Sequence, residues 1–270
     1  MDKIKKYINR AVKILSLKEL SILPSYLAYN LVLAIIPIIT IITLIVGVFS
    51  ISLDNVIDFI NELFPVYISE VIVGAISGDN FDVSIGVLNF TILVVASNGM
   101  YAIVNASNNL YRVESSSKIS DRFRSFVILI ILILLLIFMI IVPMLGDVII
   151  DFIRDYIENI SVTQTINLVY NSLKWPISFI LIFLAIKGIY IIAPSVKIKG
   201  EDTTIGAFIT TIGWIIFTAL FGYYISLFGK YDIIYGGLSS VIIFLIWFYV
   251  LSFILILGIV INASKYNKLY

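Results

Sequence analysis

The stretch Phe126–Leu145, FVILIILILLLIFMIIVPML, decides the fold, because it holds no charge and little besides Ile, Leu, Val, Phe and Met. A helix rises about 1.5 Å per residue, so a run of ~20 apolar residues covers the hydrocarbon core of a bilayer. Outward from this segment, five more can be placed, and the six have approximate limits 24–50, 84–111, 125–146, 174–194, 204–228 and 236–263. The expectation is an all-α integral membrane protein, a bundle of six transmembrane helices forming a single membrane domain over residues 1–270.

Composition points the same way. The 270 residues are 61% hydrophobic and 13% charged, with a mean hydropathy of +1.10. A soluble fold of that length would leave large apolar patches facing water. Net charge is +1, and no basic segment is interleaved with aromatics, so nucleic acid is not an expected partner. The chain has no Cys and no His, which removes thiol chemistry, iron–sulfur ligation and the commonest metal ligand and general base.

Basic residues set the direction of insertion. Of the 18 Lys and Arg, six lie in the N-terminal segment and four in 112–124. Three more lie in 187–203 and two in the C-terminal tail, leaving only Arg154, Lys174 and Lys230 on the other side. Both termini are therefore expected in the cytoplasm, with acids such as Asp54, Asp58, Asp151 and Asp155 in outer loops. The N-terminus does not read as a secretory signal, so the first span is expected to be retained. In 3–18, Ile4, Ile8, Val12 and Leu15 recur at helical spacing, which fits an interfacial helix on the cytoplasmic surface or an ordinary solvated lead-in. Amphipathic acidic patterns over 53–64 and 149–160, with 66–76 as a further helix or re-entrant piece, predict short helices in the outer loops. No internal repeat is evident, so the large inverted-repeat transporter folds are not supported.

A polar group at membrane depth is costly unless paired or hydrated, so such groups are the first functional candidates. In the second span Asn98, Tyr101, Asn105 and Asn109 fall within about a third of a turn at ~100° per residue, with Asn108 and Arg112 at the edge. That stripe either lines a hydrated cavity open to the cytoplasm or hydrogen-bonds neighbouring helices as packing glue. In the first span, Asn30 and Pro37 stand out: the proline removes a backbone hydrogen bond and frees a carbonyl, an architectural kink or a ligand for a headgroup. Lys187 either snorkels to the interface or places a charge in a cytoplasm-facing cavity. Gly206, Gly213, Gly222, Gly236, Gly237 and Ser240 are small residues suited to close helix packing.

No paired carboxylates, metal cluster, activated nucleophile or P-loop emerges, so neither an enzyme nor a cofactor is expected. The order of landmarks resembles the YihY/virulence factor BrkB family of bacterial inner-membrane proteins, historically mislabelled as ribonuclease BN. The resemblance covers about residues 20–264. It rests on Tyr26, Tyr29 and Pro37, on Asn108, Tyr111 and Arg112, and on Tyr190, Pro194, Gly206, Ala207 and Trp214. Tyr231, Tyr235, Gly236, Gly237, Trp247, Gly258 and Asn262 complete it. It implies six spans in the bacterial inner membrane with cytoplasmic ends. Members often carry Gly-Ala-Glu in the last span, where this chain has Gly258, Ile259 and Val260. The leading expectation is a transporter or flippase of an envelope lipid or amphiphile. The alternatives are a non-transporting scaffold or envelope-integrity factor, or a passive channel. Membrane lipids are the expected partners, with a homo-oligomer left open.

Overall fold

Local capping explains where several helices begin and end. The computed structural model describes residues 21–34, 86–115, 117–135, 160–227 and 239–266, with scattered positions between 54 and 73 and at 138. Among the described residues the continuous elements are six helices, without a strand: α1 (Leu23–Ala34), α2 (Gly86–Tyr111), α3 (118–135), α4 (Ile160–Ile192), α5 (Gly200–Leu227) and α6 (Ser239–Tyr266). Pro24 falls in the first turn of α1, where a missing N–H costs no helical hydrogen bond.

The α2–α3 turn is pinned at both ends. Arg112 takes a left-handed backbone with φ 54°. Its N–H donates to the Asn109 carbonyl at 3.2 Å while Val113 N–H reaches the Asn108 carbonyl at 3.0 Å, the two bonds of a Schellman cap. Ser117 then caps α3, its Oγ accepting the Ser120 N–H at 3.1 Å. The 112–124 region, read from sequence as a loop, is thus a short turn followed by the first two turns of α3.

The elements pack in the order α4–α5–α6–α2, and α2 supplies much of the core. Ala96, Met100, Ala102, Ile103, Val104 and Ala106 are all buried there, their mostly small side chains letting neighbours approach. At Gly99 a Cβ would stand 2.6 Å from the Ala34 Cβ and 2.9 Å from the Asn30 carbonyl oxygen, so α1 crosses α2 at near backbone contact. α4 begins at Ile160, ahead of the span expected from 174, and contains Pro176, whose ring nitrogen has no hydrogen to donate to the preceding turn.

Among the described residues three helical segments, Trp175–Ile192, Gly200–Ile225 and Ile242–Tyr266, are long and apolar enough to cross a membrane. Their outward faces are apolar too: Ile177, Leu184, Phe208, Ile216, Leu220 and Leu245 are all exposed. In water such a surface would drive aggregation, whereas hydrocarbon solvates it. The described positions Asp54, Ile57, Asp58, Asn61, Val66, Ser69, Glu70 and Val73 are helical. Pro37, Gly236, Gly237, the 3–18 segment and residues 149–159 lie outside the described residues.

Candidate functional site

Between Ala96 and Tyr111 the residues of α2 that are not buried are Asn98, Tyr101, Asn105 and Asn109. The 96–111 face left uncovered by the bundle is therefore polar, in contrast to the aliphatic and aromatic outer faces of α4, α5 and α6. Two of the four are engaged by α3. The Arg122 guanidinium reaches α2 and donates through Nη1 to Asn98 Oδ1 at 2.6 Å, with Ser97 Oγ at 3.4 Å. It lies over the Tyr101 ring, 5.2 Å from its centroid, a cation–π contact. Asn105 is half-buried, one turn nearer the C-terminal end of α2 than Tyr101. Asn109 and Arg112 are exposed beyond it.

Asn108 belongs to a different cluster. Its Oδ1 accepts the Ser195 N–H at 2.7 Å and its Nδ2 donates to Asp121 Oδ2 at 3.5 Å. The other carboxylate oxygen of Asp121 accepts from Ser195 Oγ at 3.0 Å and stands 3.6 Å from Arg124 Nη1. Asp121 is 0% exposed. A carboxylate so far from water is tolerated only when hydrogen-bonded and charge-paired. The Asn108–Asp121–Ser195 triangle therefore locks the end of α2, the start of α3 and the α4–α5 turn together.

A third polar cluster joins α4, α5 and α6. The Tyr190 hydroxyl sits 2.9 Å from the Leu255 carbonyl and 2.7 Å from Thr210 Oγ1. A carbonyl can only accept, so Tyr190 donates to Leu255 and its oxygen is left to accept from Thr210. These two hydroxyls fill the space that a Cβ on Gly258 would need. Nearby, Gly206 N–H donates to Asn262 Oδ1 at 3.0 Å, and a Cβ on Gly206 would collide with Asn262 and the Gly258 carbonyl. Trp214 Nε1 donates to the Leu251 carbonyl at 3.0 Å. Asp202 and Lys265 close the rim with an ion pair.

Of the other sequence candidates, Asn30 donates to the Tyr26 carbonyl of its own helix at 2.8 Å, beside the Gly99 crossing. Lys187 lies over the Phe183 ring at 5.8 Å, its Cε close to Gly200. Gly213 is pressed against Ile254, 2.8 Å from where its Cβ would stand. Gly222 is half-buried on α5, and Ser240 lies in the first turn of α6. Sequence reasoning missed Asp121, Arg122 and Ser195. The signal available for the first two was a Ser-capped helix start carrying charge just before an apolar run; Ser195 had none. Among the described residues no group of three or more acids stands together as a metal site would require.

Apolar outward faces, spanning-length helices and polar contacts held between helices define a helical membrane protein. The family model described as Virulence factor BrkB matches residues 12–269, and the chain belongs to that family. It is also 29% identical over 246 residues to the ribonuclease-like protein YfkH of Bacillus subtilis (strain 168), a match covering 90% of this chain and 88% of that protein. No solved structure matches the chain.

Proposed function

We propose that this protein crosses the bacterial cell membrane six times with both ends in the cytoplasm, and that it moves an envelope lipid or similar amphiphile along the uncovered face of α2. The observation that carries this reading is that, between Ala96 and Tyr111 of α2, exposure is confined to Asn98, Tyr101, Asn105 and Asn109. Amides and a phenol facing hydrocarbon would be costly, so this face is a hydrated groove that can pass a headgroup while acyl chains stay in lipid. The groove runs toward the 112–124 region, whose four basic residues support a cytoplasmic position for that end.

The chain is not read as a nuclease. The word ribonuclease-like belongs to the relative's name. A chain without His lacks the commonest general base for such chemistry, and among the described residues no cluster of acids is placed to hold a metal. Reconstitution into liposomes with fluorescent lipids tests the proposal. Headgroup movement above empty vesicles is expected, and replacement of both Asn98 and Asn105 by Ala should slow it without loss of folded protein. No movement for any headgroup, or full activity of the double variant, would sink it.

A further inference from the structure

We infer that Arg122 is the headgroup-binding cation of the α2 groove and that the amphiphile it takes has a phosphate headgroup of net negative charge. This inference rests on the amphiphile-moving reading of that groove and adds the chemical class of its cargo. Three observations lead to it. First, the charge is held deep. Asn98, which receives the guanidinium, lies thirteen residues before Tyr111 at the end of α2, about 20 Å along the helix axis. Arg122 itself stands only in the second turn of α3, so its side chain runs inward along α2 rather than out toward the cytoplasmic surface. A long cationic side chain with no task near a membrane turns toward the interface.

Second, every partner that holds it is neutral. Asn98 Oδ1, Ser97 Oγ and the Tyr101 ring orient the guanidinium without cancelling its charge. Among the described residues no carboxylate pairs with it, although Arg124, two positions on, has Asp121. Third, Nη1 is the nitrogen committed to Asn98 and Ser97, and a guanidinium has five N–H donors in a planar fork. The fork geometry matches two oxygens of a phosphate. The half-buried Asn105 amide is on the same face, one turn away, to receive further headgroup oxygens.

The test is binding by the purified full-length protein in neutral detergent, titrated separately with dihexanoyl phosphatidylglycerol, dihexanoyl phosphatidylcholine and inorganic phosphate. The wild type should prefer the anionic lipid roughly tenfold or more. Arg122→Gln should abolish the preference, and Arg122→Lys should retain part of it. Asn98→Asp is the decisive variant, because it keeps the side-chain shape and gives Arg122 an internal counter-ion; it should fold at least as stably as wild type and lose the preference. Inorganic phosphate competing at concentrations like those of the lipid assigns the site to a soluble phosphate anion, whereas weak competition assigns it to a lipid headgroup. Equal binding of both lipids by wild type, or an undiminished preference in both Arg122→Gln and Asn98→Asp, overturns the inference. Labelled-lipid movement separates the two claims. Equal movement of both lipids, unchanged in Arg122→Gln, removes this inference and leaves the transport reading standing. Anionic preference with no movement removes the transport reading and leaves Arg122 as the anion site.

Discussion

Exchanging the two side chains of the Asn108–Asp121 pair tests the junction more sharply than deleting either. In Asp121→Asn, the new amide can still accept from Ser195 Oγ through its oxygen, in the place of the carboxylate oxygen that stands 3.0 Å away. Its NH2 group then faces the Nδ2 of Asn108, where a 3.5 Å hydrogen bond stood before. Asn108 cannot relieve this by flipping, because its Oδ1 is held by the Ser195 N–H at 2.7 Å, and turning the new amide over would keep the bond to Asn108 only by setting its NH2 group against the Arg124 guanidinium. The variant loses that bond and the attraction to Arg124, whose side chain is 21% exposed, so the cost belongs at the lower end for a buried ion pair, about 3 kcal/mol. Asn108→Asp sets two carboxylates face to face and costs at least as much. In the exchanged double variant all three hydrogen bonds re-form. The carboxylate now at position 108 accepts from Ser195 N–H and from the amide now at position 121, and that amide's oxygen accepts from Ser195 Oγ. The negative charge moves a few ångströms from Arg124, a deficit of about 1 kcal/mol. Thermal unfolding of the detergent-solubilised protein, followed by size exclusion, should place the double variant well above both single variants and a little below wild type, with a coupling of about 2 kcal/mol or more. Additive losses, with the double variant least stable of the four, would refute the reasoning.

Gly258→Ala forces a methyl onto the Tyr190 and Thr210 hydroxyls and should cost roughly 1–3 kcal/mol. Tyr190→Phe in the same chain opens space and should return part of the loss of melting temperature, while Tyr190→Phe alone leaves the Leu255 carbonyl without its side-chain donor and lowers it modestly. Gly99→Leu should drive α1 away from α2 and lower expression and melting temperature more than a Leu substitution at exposed Ile130. The Asp202–Lys265 pair is about one-third exposed on both sides, so Lys265→Met should shift stability by less than about 1 kcal/mol, and by less still at high salt.

The open polar face of α2 is legible in the sequence because one period governs it. Placing Asn98, Tyr101, Asn105 and Asn109 on one face needs only ~100° per residue, and that face is the one the bundle leaves open. Asn108, at the edge of the same projection, goes to packing because Ser195 and Asp121 approach from elements far along the chain, and no spacing rule encodes that approach. Asp121 and Arg122 read as loop charge, since hydropathy windows begin α3 where charge stops, while the helix begins at its Ser117 cap. The landmarks of the family resemblance have a physical meaning that the sequence alone did not supply. Tyr190, Gly206, Gly258 and Asn262 lie in one polar seam between α4, α5 and α6, where the glycines exist to admit side chains of the others. Val260, the position where the resemblance would set a glutamate, is fully buried in the apolar core.

A chain without cysteine permits the most direct measurement of the central claim, that the open face of α2 is a hydrated groove reached from the cytoplasm. Single cysteines replacing Asn98, Asn105 and Asn109 should react with a charged, membrane-impermeant thiol reagent applied to the cytoplasmic side of inverted vesicles, with rates falling from Asn109 inward to Asn98. Cysteines replacing the outward-facing Ile130 and Leu220 should stay unmodified. A cysteine in place of Asn105 as inert as one in place of Ile130, or one that reacts only from the outer side, would contradict the account.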